Sequence, residues 1–188
     1  VAQHLDGSIM VVGWFTHING VSRKNIARFL HDGSLDTSFV APVVPTSYHG
    51  LTAVRSEVDG KLLIRSMGGN WTASGKTARR VYNFAVLNAD GSRDVTWTAN
   101  TITLMTERKL DGETEPFLRP MALQPDGKII VGGRFESLQG SARKNLARIN
   151  PNGSVDSSFE FASGLELKTD RWYARRVAVT AIALDARG

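Results

Sequence analysis

The chain repeats itself, and that constrains its fold more than any other feature. Displaced by 120 residues, residues 6–39 align without a gap on residues 126–159, and 17 of the 34 pairs are identical. The identities include Asp6-Gly7, Arg23-Lys24-Asn25, Ala27-Arg28, Gly33-Ser34, Asp36 and Ser38-Phe39. A divergent copy lies between them: Asp59-Gly60 matches Asp6-Gly7, and Asn83–Trp97 matches Asn25–Phe39, with five extra residues between its two Asp-Gly pairs. A fourth copy opens at Ile182-Ala183-Leu184, where the third has Met121-Ala122-Leu123. A repeat of this size is one supersecondary unit that cannot bury its apolar face alone and must stack on its neighbours. We divide the single repeat domain, residues 1–188, into repeat 1 (1–50), repeat 2 with its insertions (51–117), repeat 3 (118–178) and the start of repeat 4 (179–188).

Within a repeat the pattern is that of short strands. In repeat 3 the sequence predicts strands at 121–124, 129–135, 145–149 and 155–159, with turns at Asp126-Gly127 and Asn152-Gly153. Glycine there supplies the positive φ that tight turns require. Gly132-Gly133, inside the second strand, predicts a close approach by another backbone or a bulky group, near the axis of a ring of such sheets. Phe15, Phe39, Trp97, Phe135 and Phe159 are the expected packing between repeats. Four antiparallel strands joined by tight turns make one blade of a β-propeller, so the expected fold is an all-β, propeller-type array of about three four-stranded blades. Three blades are fewer than the about four to eight that close a ring. The array is therefore expected to be part of a longer chain, or to be completed by other subunits.

Composition narrows the function classes. With 41% hydrophobic and 22% charged residues the chain belongs with globular proteins, and no apolar run is long enough for a membrane-spanning helix. No cysteine is present, which excludes disulfides, thiol nucleophiles and zinc–thiolate sites. The net charge of +5 suits an anionic partner, or is simply a basic solvated surface.

The strings QPDGKIIVGGRF (124–135) and RKNLARINPNGSVDSSF (143–159) closely resemble the delta-60 repeat family, as do DGSIMVVGWF (6–15) and RKNIARFLHDGSLDTSF (23–39). The resemblance implies a β-propeller-like fold in large bacterial proteins, often exported or surface-attached, hence an extracellular or cell-surface location. It implies no catalytic activity and no catalytic residues. The middle copy departs from it, with its Gly-Gly pair and aromatic displaced to Gly68-Gly69 and Trp71.

Candidate site residues are few. The pairs Arg23-Lys24 and Arg143-Lys144 are repeat-equivalent, and Arg79-Arg80 falls near the same place in the middle copy. All three precede a third strand and are expected on one rim, where arginines beside aromatics suit a polyanion or a sugar. Arg171, Trp172, Arg175 and Arg176 add to that set. The stronger reading is that arginines at repeating positions stitch adjacent blades together through carboxylates or carbonyls. The turns Asp32-Gly-Ser-Leu-Asp36, Asp90-Gly-Ser-Arg-Asp94 and Asn152-Gly-Ser-Val-Asp156 resemble the opening of a calcium loop, but lack its sixth-position glycine and closing acid. Their acids are better suited to bonding backbone N–H groups. Gly69–Thr77 has five residues between its glycines where a phosphate loop has four, and its setting is a β-hairpin insertion rather than a strand-to-helix turn. The four histidines share no metal-ligand spacing. The sequence points to no cofactor. The irregular stretches 70–80, 98–116 and 164–176 are where a specific partner would be contacted.

The expectation is a non-catalytic interaction or structural scaffold module of a bacterial surface or secreted protein. Its partners would be a protein or polysaccharide and further blades, rather than nucleic acid. Two alternatives stand beside it: a carbohydrate- or polyanion-binding propeller using the basic rim, and a piece of a propeller enzyme whose active residues lie elsewhere.

Overall fold

A computed structural model describes residues 2–3, 6–40, 52–55, 59–67, 72–74, 77–99, 101–107, 117–160 and 178–184. These hold strands and no helix, and every described pairing is antiparallel. In chain order the strands are β1 (Ala2–Gln3), β2 (Ile9–Val12), β3 (His17–Ile18), β4 (Val21–Ser22), β5 (Ile26–Phe29), β6 (Thr52–Arg55), β7 (Leu62–Met67), β8 (Thr72–Ser74), β9 (Thr77–Leu87), β10 (Thr101–Glu107), β11 (Phe117–Leu123), β12 (Ile129–Arg134), β13 (Ser137–Leu138), β14 (Ser141–Ala142) and β15 (Leu146–Ile149). The chain forms two compact units, Val1–Gly69 with Tyr82–Thr101, and Asn70–Val81 with Ile102–Gly188. β9 gives its first half to the second unit and its second half to the first.

In the first unit, repeat 1 is a sheet of order β1-β2-β5, and repeat 2 adds β6, β7 and the end of β9. The turn before β2 closes locally, as Asp6 Oδ1 accepts the Ser8 N–H at 2.8 Å. Between β2 and β5 the chain runs out to a separate hairpin tip, β3–β4. Asn25 takes φ 67° on the way back, a left-handed conformation that asparagine tolerates better than most residues. One face of repeat 1 is sealed by repeat 2. Met10, Ile26 and Phe39 form one core with Leu62, Ile64, Ala85 and Leu87. Phe39 reaches across to the Gly91 turn of repeat 2, where a Cβ would fall on its ring. Burying a side chain of this size contributes about 2–3 kcal/mol. Phe39 thus packs between repeats, as the sequence predicts.

In the second unit, repeat 3 has the order β11-β12-β15 and its own hairpin tip, β13–β14. The β11–β12 ladder slips by one residue between Leu118 and Met121. Pro120 occupies that bulge, a place where its missing N–H costs no ladder bond. The expected close approach at Gly132-Gly133 is present. A Cβ on Gly133 would strike the Phe117 carbonyl oxygen, and one on Gly132 would lie 2.6 Å from Val179 and 2.8 Å from Pro120. The Val179 N–H donates to the Gly133 carbonyl oxygen at 3.1 Å.

Two expectations differ from the structure. The predicted fourth strand at 155–159 is a single bridge, Ile149 to Val155, followed by a turn. The bridges Phe29–Leu35 and Leu87–Arg93 repeat this in the other copies. The Asp156 carboxylate captures the Ser158 N–H at 3.0 Å and ends the ladder. The described sheets of repeats 1 and 3 are accordingly three-stranded, each with its hairpin tip. The first insertion is a hairpin, as expected, with residues 72–74 of β8 pairing with 77–79 of β9, whereas the stretch 98–116 is more regular than expected, since residues 101–107 form β10. Gly68-Gly69 and Trp71 lie outside the described residues.

Candidate functional site

The most regular side-chain chemistry in the molecule is the acid that follows the second Asp-Gly turn. In every repeat its backbone N–H donates to the third strand: Asp36 to the Arg28 carbonyl, Asp94 to that of Val86, and Asp156 to that of Arg148, at 2.9, 2.8 and 2.9 Å. One carboxylate oxygen then closes the next turn. Asp36 Oδ1 accepts from the Ser38 N–H (2.9 Å) and hydroxyl (2.6 Å), Asp94 Oδ1 from the same groups of Thr96 (2.8 and 2.6 Å), and Asp156 Oδ1 from those of Ser158 (3.0 and 2.6 Å). All three acids are buried.

The other oxygen takes a cation, supplied from two alternative positions. Arg28 on β5 pairs with Asp36 at 2.6 Å. The middle copy has Val86 where repeat 1 has Arg28, and Lys61, two residues past Asp59, meets Asp94 at 3.1 Å instead. Repeat 3 has both: Arg148 and Lys128 each lie 2.9 Å from Asp156. Repeat 1 has Ser8 at the lysine position. The arginines also stack on the closing aromatics, 5.0 Å from the Phe39 ring and 4.8 Å from that of Phe159.

These contacts hold all three carboxyls below the usual carboxylate range. At Asp36 the Ser38 hydroxyl is the largest cause, with Arg28 adding to it against the cost of burial. At Asp94 burial is the largest single influence and acts upward, but Thr96 and Lys61 together outweigh it. Asp156 lies lowest, through Ser158, Lys128 and Arg148. Lys61 is raised by Asp94. The outer turn acids Asp32 and Asp90 are likewise lowered, chiefly by hydroxyl bonds from Ser34 and Ser92. The acids at the opening of the calcium-like loops thus serve as turn locks, with both oxygens of Asp36, Asp94 and Asp156 engaged by protein donors. Among the described residues no cluster of three or more acidic, His or Cys side chains is placed to hold a metal.

Residues 4–39 and 124–159 match the family model described as "Domain of unknown function (DUF5122) beta-propeller". These two stretches are β-propeller-like repeats. No curated protein and no solved structure matches the chain.

In both propeller-like repeats the basic pair sits where the chain returns from the hairpin tip. Arg23 is spent on its own repeat: it donates to the carbonyl oxygens of Ser22 (2.9 Å), Asp36 (3.3 Å) and Thr37 (3.0 Å). Arg143 donates to that of Ala142 at 2.9 Å. Lys24 and Lys144 are exposed. Arg79 and Arg80 lie within β9 rather than at its entrance, Arg79 exposed and Arg80 half-buried. Arg171, Trp172, Arg175 and Arg176 lie outside the described residues. Sequence reasoning missed Arg28 and Arg148. Their signal was present, since both are identical across the repeat and stand eight residues before an identical Asp.

Proposed function

We propose that the chain is a non-catalytic scaffold module, built from delta-60-type repeats, whose apolar sheet faces stack on further repeats of the same kind. One observation carries this. In repeat 1 the face bearing Met10 and Ile26, with Phe39 beside it, is buried under repeat 2. The equivalent residues of repeat 3, Ile130, Leu146 and Phe159, are only half-buried. On the opposite faces Ile129, Val131, Ala147 and Ile149 are all fully buried, whereas in repeat 1 Ala27 is buried but Ile9, Val11 and Phe29 are half-buried. Each end repeat thus has one covered and one partly open face, and the two open faces are of opposite kind. Complementary faces of this sort associate head to tail and close into rings or extend into rows. A complete ring would be a propeller of such blades. The setting in a bacterial surface or secreted protein is supported by the resemblance of the repeat motif alone. The basic rim supports a polyanion site less well, because Arg23 and Arg143 bond their own backbone.

Light scattering after size exclusion tests the reading on the 188-residue chain and on longer chains that contain it. The expected result is a defined assembly that Phe159→Glu dissociates. A monodisperse 20.5 kDa monomer of the 188-residue chain would overturn the reading.

A further inference from the structure

Phe117, the first residue of β11, carries two guanidinium groups. That of Arg119 lies 5.2 Å and that of Arg134 5.1 Å from its ring centroid. Arg134 stands directly opposite Phe117 in the β11–β12 ladder, and Arg119 falls in the bulge between Leu118 and Met121. Bulges re-aim side chains out of the regular ladder. The other arginines stacked on phenylalanine rings, Arg28 and Arg148, each answer a buried acid. Arg119 and Arg134 do not: among the described residues neither forms an ion pair. Arg134 Nε is moreover buried with no hydrogen-bond partner among them. Two like charges held against one ring repel, and a shielded N–H without an acceptor adds to that cost. A bound anion would offset both.

The place is one that a stacked repeat leaves to solvent. In repeat 1 the position of Arg134 is held by Trp14. Repeat 2 there packs on Met10, Ile26 and Phe39, yet Trp14 stays 78% exposed. All three residues of the cluster lie on the neighbouring strands β11 and β12, so a single sheet supplies it. Arg119 is exposed and Arg134 half-buried.

We propose that Arg119 and Arg134, held on the Phe117 ring, form a binding site for a tetrahedral oxyanion of the sulfate or phosphate type. A guanidinium is a planar fork of N–H donors that matches two oxygens of such a group, and an aromatic ring beneath it fixes the plane of the fork. The unspent Arg134 Nε is one of those donors. The site is separate from the rim of Arg23 and Arg143, whose guanidiniums bond backbone carbonyls. It also makes no use of the stacking of repeats.

Isothermal titration of the full chain with inorganic sulfate and with dextran sulfate, at an ionic strength of about 0.15 M, tests this. Saturable binding is expected. Binding of both probes supports a site for the free anion, and binding of dextran sulfate alone supports one for the group carried on a polymer. Affinity should fall about tenfold or more in Arg119→Gln/Arg134→Gln, through loss of charge-assisted hydrogen bonds. Arg119→Lys/Arg134→Lys keeps the charge but not the forks, and should still weaken binding severalfold. Both variants should keep their urea midpoint in sulfate-free buffer, since neither loses an ion pair. Lys24→Gln/Lys144→Gln removes the same charge from the rim. A loss there as large as in Arg119→Gln/Arg134→Gln would overturn the proposal. So would an absence of saturable binding of either probe, or unchanged affinity in Arg119→Gln/Arg134→Gln.

Discussion

At the scale of residues, the molecule spends its acids on geometry. A carboxylate that accepts an N–H and a hydroxyl on one oxygen and a cation on the other has both oxygens engaged within the protein. The cation matters because the acid is buried. Removing it leaves a desolvated charge, which costs more than the pair gains. Arg28→Met should therefore destabilise the first unit by about 1–3 kcal/mol, since among the described residues Asp36 has no second cation within ion-pair distance. Arg148→Met should cost clearly less, because Lys128 remains 2.9 Å from Asp156. Urea unfolding of the two variants and of Lys128→Met/Arg148→Met checks this. Equal losses for the two single variants would mean that Lys128 contributes nothing. The turn role of these acids was legible in the sequence, because an Asp two residues before Ser or Thr is a local motif. The Arg–Asp pairing was not. It joins a strand residue to a turn residue across eight positions, and only the folded β5 and β15 bring them together.

At the scale of elements, equivalent turns experience different surroundings. Gly33 and Gly91 both take positive φ, 82° and 90°. A Cβ on Gly33 would meet nothing within 4 Å, whereas one on Gly91 would meet the Phe39 ring. Alanine at either position bears the backbone strain, but only Gly91→Ala also disturbs the packing of repeat 1 on repeat 2. The second variant should unfold at lower denaturant, by about 1–3 kcal/mol beyond the first. If the two behave alike, Phe39 does not seal that interface. The strands and turns themselves were readable from the duplicated pattern of Asp-Gly pairs and β-branched runs. The fourth strand was misread because Val155-Asp-Ser-Ser-Phe159 alternates like a strand while Asp156 diverts the backbone donor that a ladder would need. β10 escaped for the opposite reason: its sequence is not repeated elsewhere in the chain, so repetition gave no signal for it.

At the scale of the whole molecule, the same turn lock is present in every repeat and its titration should add across the chain. Asp36, Asp94 and Asp156 all have folded pKa values below the unfolded value of about 3.9. Groups of this kind contribute stability that is fully present above the unfolded pKa and lost as pH falls through the folded one. The denaturation midpoint should therefore drop from about pH 5 to about pH 3. Replacing the three acids by asparagine should lower stability at about pH 5 and flatten that dependence; an undiminished slope would place the acid sensitivity elsewhere. What the sequence could not convey at this scale is which sheet faces are covered, since that depends on neighbours rather than on pattern. The cation positions carry one more implication, for how such a chain changes by descent. Lysine after the first turn and arginine on the third strand are interchangeable donors to one acid. Repeat 1 holds only the arginine, repeat 2 only the lysine, and repeat 3 holds both. The doubly supplied form is the viable intermediate between the other two, through which a lineage can trade one charge for the other without ever stranding the carboxylate.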